Sequence, residues 1–221
     1  MNFYSFVEGP LLWTAFLIFI IGCVMRAVTF YSESRKKDKV IHEHFKWGYV
    51  LSTLGRWLLP MNVTVVKNPV YSVLTYTFHI CLLAVPIFLA GHISLWEESV
   101  FAVSWPALPQ NVADWMTLVF LGIAVFLLLR RIFSADIRLI STFSDYFLMV
   151  VTALPFLTGY FATHGTLNHI SFLGNNMMLF HMLSGELMLI LIPFTKLSHI
   201  ILFFFSRASA AVEFGRRGYS I

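Results

Sequence analysis

Five apolar runs, each long enough to cross a bilayer, restrict this 221-residue chain more than any motif does. They are read at 10–30, 70–96, 112–129, 146–162 and 177–205, and a run of about 20 apolar residues spans ~30 Å of hydrocarbon when helical. In lipid the backbone must satisfy its own hydrogen bonds, which leaves a helix bundle as the simplest solution. Only 12% of residues are charged, half the usual share of a soluble domain, while 58% are hydrophobic. The expected fold is therefore all-α, an integral membrane five-helix bundle in one domain covering 1–221.

Pro10 suits the first turn of the opening helix. That run lacks a basic stretch before it and a small-residue cleavage site after it, so it reads as a retained helix rather than a signal peptide. Cys23 and Cys81 lie inside apolar runs without CxxC spacing and read as buried thiols.

All 15 Lys and Arg fall in 26–67, 130–138 and 196–217, each flanking an apolar run. The loops 97–111 and 163–176 contain none. The positive-inside rule then places the N-terminus and those two loops in the periplasm and the C-terminus in the cytoplasm. Such patches mark topology better than a nucleic-acid interface. Near 41–59, Phe45, Tyr49, Leu51, Leu54, Trp57 and Leu58 recur at helical intervals among polar residues. An interfacial amphipathic helix ended by Pro60 is expected, either as a docking surface for a cytoplasmic partner or as a lipid-facing anchor.

Four of eight histidines sit in apolar runs, where ionisable side chains are costly and by default functional. His181 and His199 are 18 positions apart. On one continuous helix both would leave the same side, about 27 Å apart along the axis. Antiparallel topology pairs His92 with His181 near the outer face and His79 with His199 near the inner face. Two stacked imidazole pairs are what two six-coordinate b haems need, whereas no carboxylate or thiolate completes a zinc or di-iron set. His79 and His92 would stand about 140° apart on an ideal helix, and Pro86 between them is the candidate for turning one inward.

Gly91 and Gly185 leave room for a flat macrocycle or for close helix packing. Arg130, Arg131 and Lys196 could meet haem propionates. Glu186 is a candidate proton-handling group or a carboxylate bonded to a neighbouring helix, and His164 reads first as solvated or hydrogen-bonded and otherwise as facing a quinone. His42, His44 and His169 read as solvated or hydrogen-bonded.

The runs FHICLLAVPIFLAGH (78–92), RRIFSADIR (130–138) and FHMLSGELMLILIPFTKLSHI (180–200) resemble the di-haem cytochrome b, or gamma, subunit of membrane-bound respiratory nitrate reductase. The opening and the long first cytoplasmic loop are more similar to relatives in the transmembrane redox complexes of sulfate-reducing bacteria, the Hmc and Tmc types. The resemblance implies two haem b groups in a bacterial inner-membrane electron carrier. His92 with His181 would hold the outer haem and His79 with His199 the inner one. Electrons would pass between menaquinone, or a periplasmic multihaem cytochrome c, and a cytoplasmic iron-sulfur subunit, alongside other membrane subunits. The outer loop has no Lys at the position that the nitrate reductase subunit uses near its quinol; Ala113 stands there. A haem-free membrane anchor that assembles a redox complex is the other function class open to these residues.

Overall fold

A computed structural model describes residues 2–61 and 63–219, all of them in helices, turns or connecting segments, with no strand among the described residues. Among the described residues five helices are long and apolar enough to cross a membrane: Phe3–Lys37, Pro69–Phe88, Gln110–Phe133, Phe143–His164 and Lys196–Gly215. In order the elements are α1 (Phe3–Lys37), α2 (Lys39–Glu43), α3 (Trp47–Leu58), α4 (Val63–Lys67), α5 (Pro69–Phe88), α6 (Ala90–Glu97), α7 (Gln110–Phe133), α8 (Ala135–Leu139), α9 (Phe143–His164), α10 (Ser171–Leu191), a 3-10 turn at Lys196–Ser198, and α11 (His199–Gly215). The chain forms two compact units, one of Met1–Ser72 with Glu186–Ile221 and one of Val73–Gly185.

Three expected elements are redrawn. Helix α1 begins before Pro10, at Phe3, where the Asn2 side chain accepts from the Ser5 amide at 2.8 Å. Pro10 then lies inside a π turn, Val7–Leu11, rather than at the first helical position. A wider turn tolerates a residue that lacks an N–H, and Thr14 Oγ1 donates to the Pro10 carbonyl at 2.7 Å.

The run 70–96 is two helices, separated at Leu89, which has an extended conformation (φ −73°, ψ 130°). Three carbonyls orphaned at the end of α5 each find a donor: Pro86 from the His92 ring, Ile87 from the Trp105 indole at 2.9 Å, and Phe88 from the Leu108 amide at 2.8 Å.

The run 177–205 is also broken. Helix α10 stops at Leu191 and α11 starts at His199, so the five-turn relation between His181 and His199 does not hold. Pro193 supplies no N–H and disfavours helical geometry in the residue before it. Thr195 bridges the gap, donating to the Leu191 carbonyl at 2.7 Å and accepting from the Leu197 amide at 3.3 Å.

In the Val73–Gly185 unit, α5, α7 and α9 share a core of Phe78, Cys81, Val85, Phe120, Ile123, Ala124 and Phe156. The Phe120 ring lies 4.6 Å from Phe78 and 4.0 Å from Phe156. Outward-facing apolar residues such as Val119, Val125 and Val150 stay exposed, as they must where lipid is the solvent. Cys23 and Cys81 are buried free thiols, as their surroundings in the sequence suggest. Helix α9 opens on a capping box in which Thr142 N–H donates to Asp145 Oδ2 at 2.8 Å. Asp145→Ala is expected to destabilise the chain by about 1 kcal/mol. In a thermal melt in detergent that is a fall of about 2–4 °C in Tm, and an unchanged Tm would show that the cap contributes nothing.

In the other unit the amphipathic segment is α2 and α3, divided at His44 to Lys46, and α3 ends at Leu58, just ahead of Pro60. Helix α3 packs on α11: Arg207 stacks on Trp57 at 4.2 Å, and Val50, Ala211 and Val212 are buried. Phe30 of α1 meets Phe205 of α11 at 5.8 Å.

Candidate functional site

The break at Leu89 resets the helical phase between His79 and His92, so the 140° offset of an ideal helix no longer separates them. Helix α5 carries His79 and α6 carries His92. With its regular i+4 partner gone, the Pro86 carbonyl accepts from His92 Nδ1 at 2.9 Å. Pro86 thus acts through its carbonyl at a helix break three residues later, rather than as a simple kink.

His181, on α10, has the matching arrangement. Its Nδ1 lies 2.9 Å from the carbonyl of Pro155 on α9. A carbonyl only accepts, so Nδ1 carries the proton in both rings and Nε2 keeps its lone pair. The two rings are 5.8 Å apart between centroids and 2° from parallel. Both are half-buried.

The close approach of His181 depends on Gly159. A Cβ there would lie 2.9 Å from both Cε1 and Nδ1 of His181, too near for any side chain larger than hydrogen while the ring stays in place. One helical turn earlier stands Pro155, whose carbonyl accepts from His181 Nδ1. Thr158 and Ser184 hydroxyls meet at 3.2 Å and tie α9 to α10 beside it. Sequence reasoning passed over Gly159 and Pro155; the signal was a Pro and a Gly four positions apart in one apolar run, offering an accessible carbonyl and a gap together.

A protein of Nitratidesulfovibrio vulgaris strain Hildenborough is 37% identical to the chain over 221 residues, covering 97% of this chain and 95% of that one. The chain belongs to the same family as that protein. The relative bears the name "Protein", which assigns no activity. No family model matches the chain, and no solved structure matches it.

The remaining candidates of this family member divide clearly. His79 Nδ1 bonds the Thr75 carbonyl at 2.7 Å, and His199 Nδ1 the Lys196 carbonyl at 2.9 Å. Such local bonds are ordinary for helical histidines; exposed His44 makes the same bond to Val40. His79 lies in the Val73–Gly185 unit and His199 in the other.

A Cβ added at Gly91 or Gly185 would meet no atom within 4 Å, so both border open space. Arg131 is already engaged: its Nη1 donates to Ser141 at 2.8 Å and stands 4.0 Å from Asp145. Arg130 closes α7 one position earlier. His164 Nε2 donates to Asp114 at 3.1 Å, and its ring is 4.4 Å from Tyr160. Asp114 was not singled out from sequence, because its partner is 50 positions away. Glu186 is 3% exposed, and neither carboxylate oxygen has a hydrogen-bond partner among the described residues. His42 bonds Ser34 at 3.2 Å.

Proposed function

We propose that the chain is a membrane electron-transfer subunit that carries two b-type haems, of the kind the nitrate reductase gamma-subunit resemblance implies. The observation that supports this most directly is the His92–His181 pair: parallel rings with both Nδ1 protons committed to backbone carbonyls. A metal–nitrogen bond of about 2 Å on each side places ring centres roughly 6 Å apart in a two-imidazole site. The 5.8 Å between the two rings fits that requirement. Committing Nδ1 to a carbonyl fixes tautomer and ring orientation and strengthens Nε2 as a ligand. Among the described residues no group of three or more His, Cys, Asp or Glu could hold a metal ion. A pair of imidazoles would suit a macrocycle that supplies the remaining ligands itself.

When bound, haem supplies one-electron exchange at its iron. The chain's own residues would hold and orient it: His92 and His181 on one group, with Gly91 and Gly185 leaving space beside it, while His79 and His199 are the imidazole candidates for the second. In this reading the N-terminus is periplasmic and the C-terminus cytoplasmic, in a bacterial inner membrane. The outer pair faces a quinone or a periplasmic cytochrome, and the inner pair faces a cytoplasmic iron-sulfur partner. Arg130 and Arg131 are the candidates for propionate contacts, Arg131 with one Nη1 bond already made to Ser141.

Purified intact chain should give a reduced-minus-oxidised b-type spectrum with two haems per polypeptide. A colourless, folded protein would rule the reading out in favour of a haem-free anchor. Titration with a menaquinol analogue, with and without a quinol-site inhibitor, decides the outer donor; reduction through a quinone site is expected to begin at the His92–His181 haem.

A further inference from the structure

Helix α3 and the end of α11 border an open pocket of about 410 Å³ that no haem reading uses. It is lined by Tyr49, Ser52, Thr53 and Arg56 of α3 and by Gly215 and Tyr219 at the other wall. Two backbone features build it. Gly215 lets the Tyr49 ring rest directly on α11, since a Cβ there would stand 2.5 Å from Tyr49 Cγ. Gly218 takes φ +79° and folds the chain back, so that the Tyr219 amide donates to the Phe214 carbonyl at 3.0 Å and the ring reaches the cavity.

The chemistry of the lining is one-sided. No Asp or Glu is among the lining residues. Arg56 forms no ion pair among the described residues, and the hydroxyls of Tyr49, Ser52, Thr53 and Tyr219 have no hydrogen-bond partner among them. The nearby acid, Glu213, is already taken by Arg216 at 2.7 Å and by Arg217. One guanidinium and four hydroxyls around a space of this size match an oxyanion with several acceptor oxygens.

We propose that this pocket binds a phosphate group, with Arg56 as its charge partner and the Ser52, Thr53 and tyrosine hydroxyls as further donors. The ligand is a phosphate-bearing molecule, and its source is argued from α3 itself. At about 100° per residue, Trp47, Leu51 and Leu58 cluster on the side of α3 roughly opposite the pocket residues. They are 68%, 63% and 57% exposed. An interfacial helix turns such a stripe to lipid, which directs the pocket to water and favours a soluble phosphate compound over a phospholipid headgroup.

The test uses the intact chain in nanodiscs. In phosphatidylcholine discs, inorganic phosphate and pyrophosphate are titrated by calorimetry at constant ionic strength against chloride. In discs containing phosphatidylglycerol, lipids retained by the protein are counted by native mass spectrometry. Saturable binding of phosphate or pyrophosphate, weakened roughly tenfold or more by Arg56→Gln, is the expected result and identifies a water-borne ligand. Retention of phosphatidylglycerol that Arg56→Gln abolishes, without soluble binding, supports the phosphate site and assigns it to lipid. Ser52→Leu fills the pocket from an exposed helical position and should block binding even if the arginine variant fails to fold. Absence of binding in both arms, or binding that neither variant changes, overturns the proposal.

Discussion

Replacing His181 with Ala is expected to remove one of two b-type haems and leave the other, cutting the reduced-minus-oxidised signal by about half. The ring stands parallel to His92 at 5.8 Å, and Pro155 holds its tautomer. His92→Ala should have the same consequence, and the double variant should lose no more than either single one, because both imidazoles serve one group. His79→Ala and His199→Ala should each remove the other haem. External imidazole should restore part of the signal to His181→Ala by entering the vacated space. Loss of both haems with the fold intact, or of neither, would break the assignment of His92 with His181.

The second large effect is expected at Gly159. A Cβ at 2.9 Å from two atoms of the His181 imidazole forces the ring away and with it the bond from Nδ1 to Pro155. Overpacking costs about 1–3 kcal/mol, and an orphaned buried polar group adds a similar amount. Gly159→Val should therefore lower the thermal midpoint by several degrees, by about 2–4 °C per kcal/mol for a chain of this length, and shift or abolish the spectrum of the His181 haem. Gly91→Ala is the contrast. Its Cβ meets no protein atom within 4 Å, so the haem-free chain should keep its stability. If Gly159→Val leaves both midpoint and spectrum unchanged, the close approach of His181 to α9 is not needed for function.

Much of the fold was legible because it follows from solvent. Runs of apolar residues near bilayer length must be helices in lipid, and the first four spans fall close to where hydropathy puts them. The amphipathic segment before Pro60 was legible for a similar reason: one face had Leu and Trp at helical spacing. Even so, its two faces had to be seen separately. Trp57 packs under Arg207 while Leu51 and Leu58 stay exposed, and the pocket residues occupy a third side.

The breaks at Leu89 and after Leu191 were not legible, because hydropathy is blind to backbone phase. Pro86 and Pro193 advertised that something happens nearby, but a proline can kink, end or be absorbed by a helix, as Pro10 is absorbed in a π turn. Which outcome occurs depends on donors from elsewhere. Trp105, Leu108 and the His92 ring cap the end of α5, and Thr195 caps the gap before α11. Those partners are distant in sequence or lie across a turn whose geometry no local pattern fixes.

By itself the sequence determined the helical class, the runs long and apolar enough to cross a membrane and the pairing of His92 with His181, since each follows from residue type and its spacing along one chain. Tertiary structure decided which way His92 faces, that Pro155 and Gly159 of α9 seat His181, and that Arg56 and four hydroxyl-bearing residues line one pocket beside α3. Those are distances between helices, set by packing and by the capping of broken ends. A spacing along the chain could name the residues but could not bring His92 and His181 within 5.8 Å of each other.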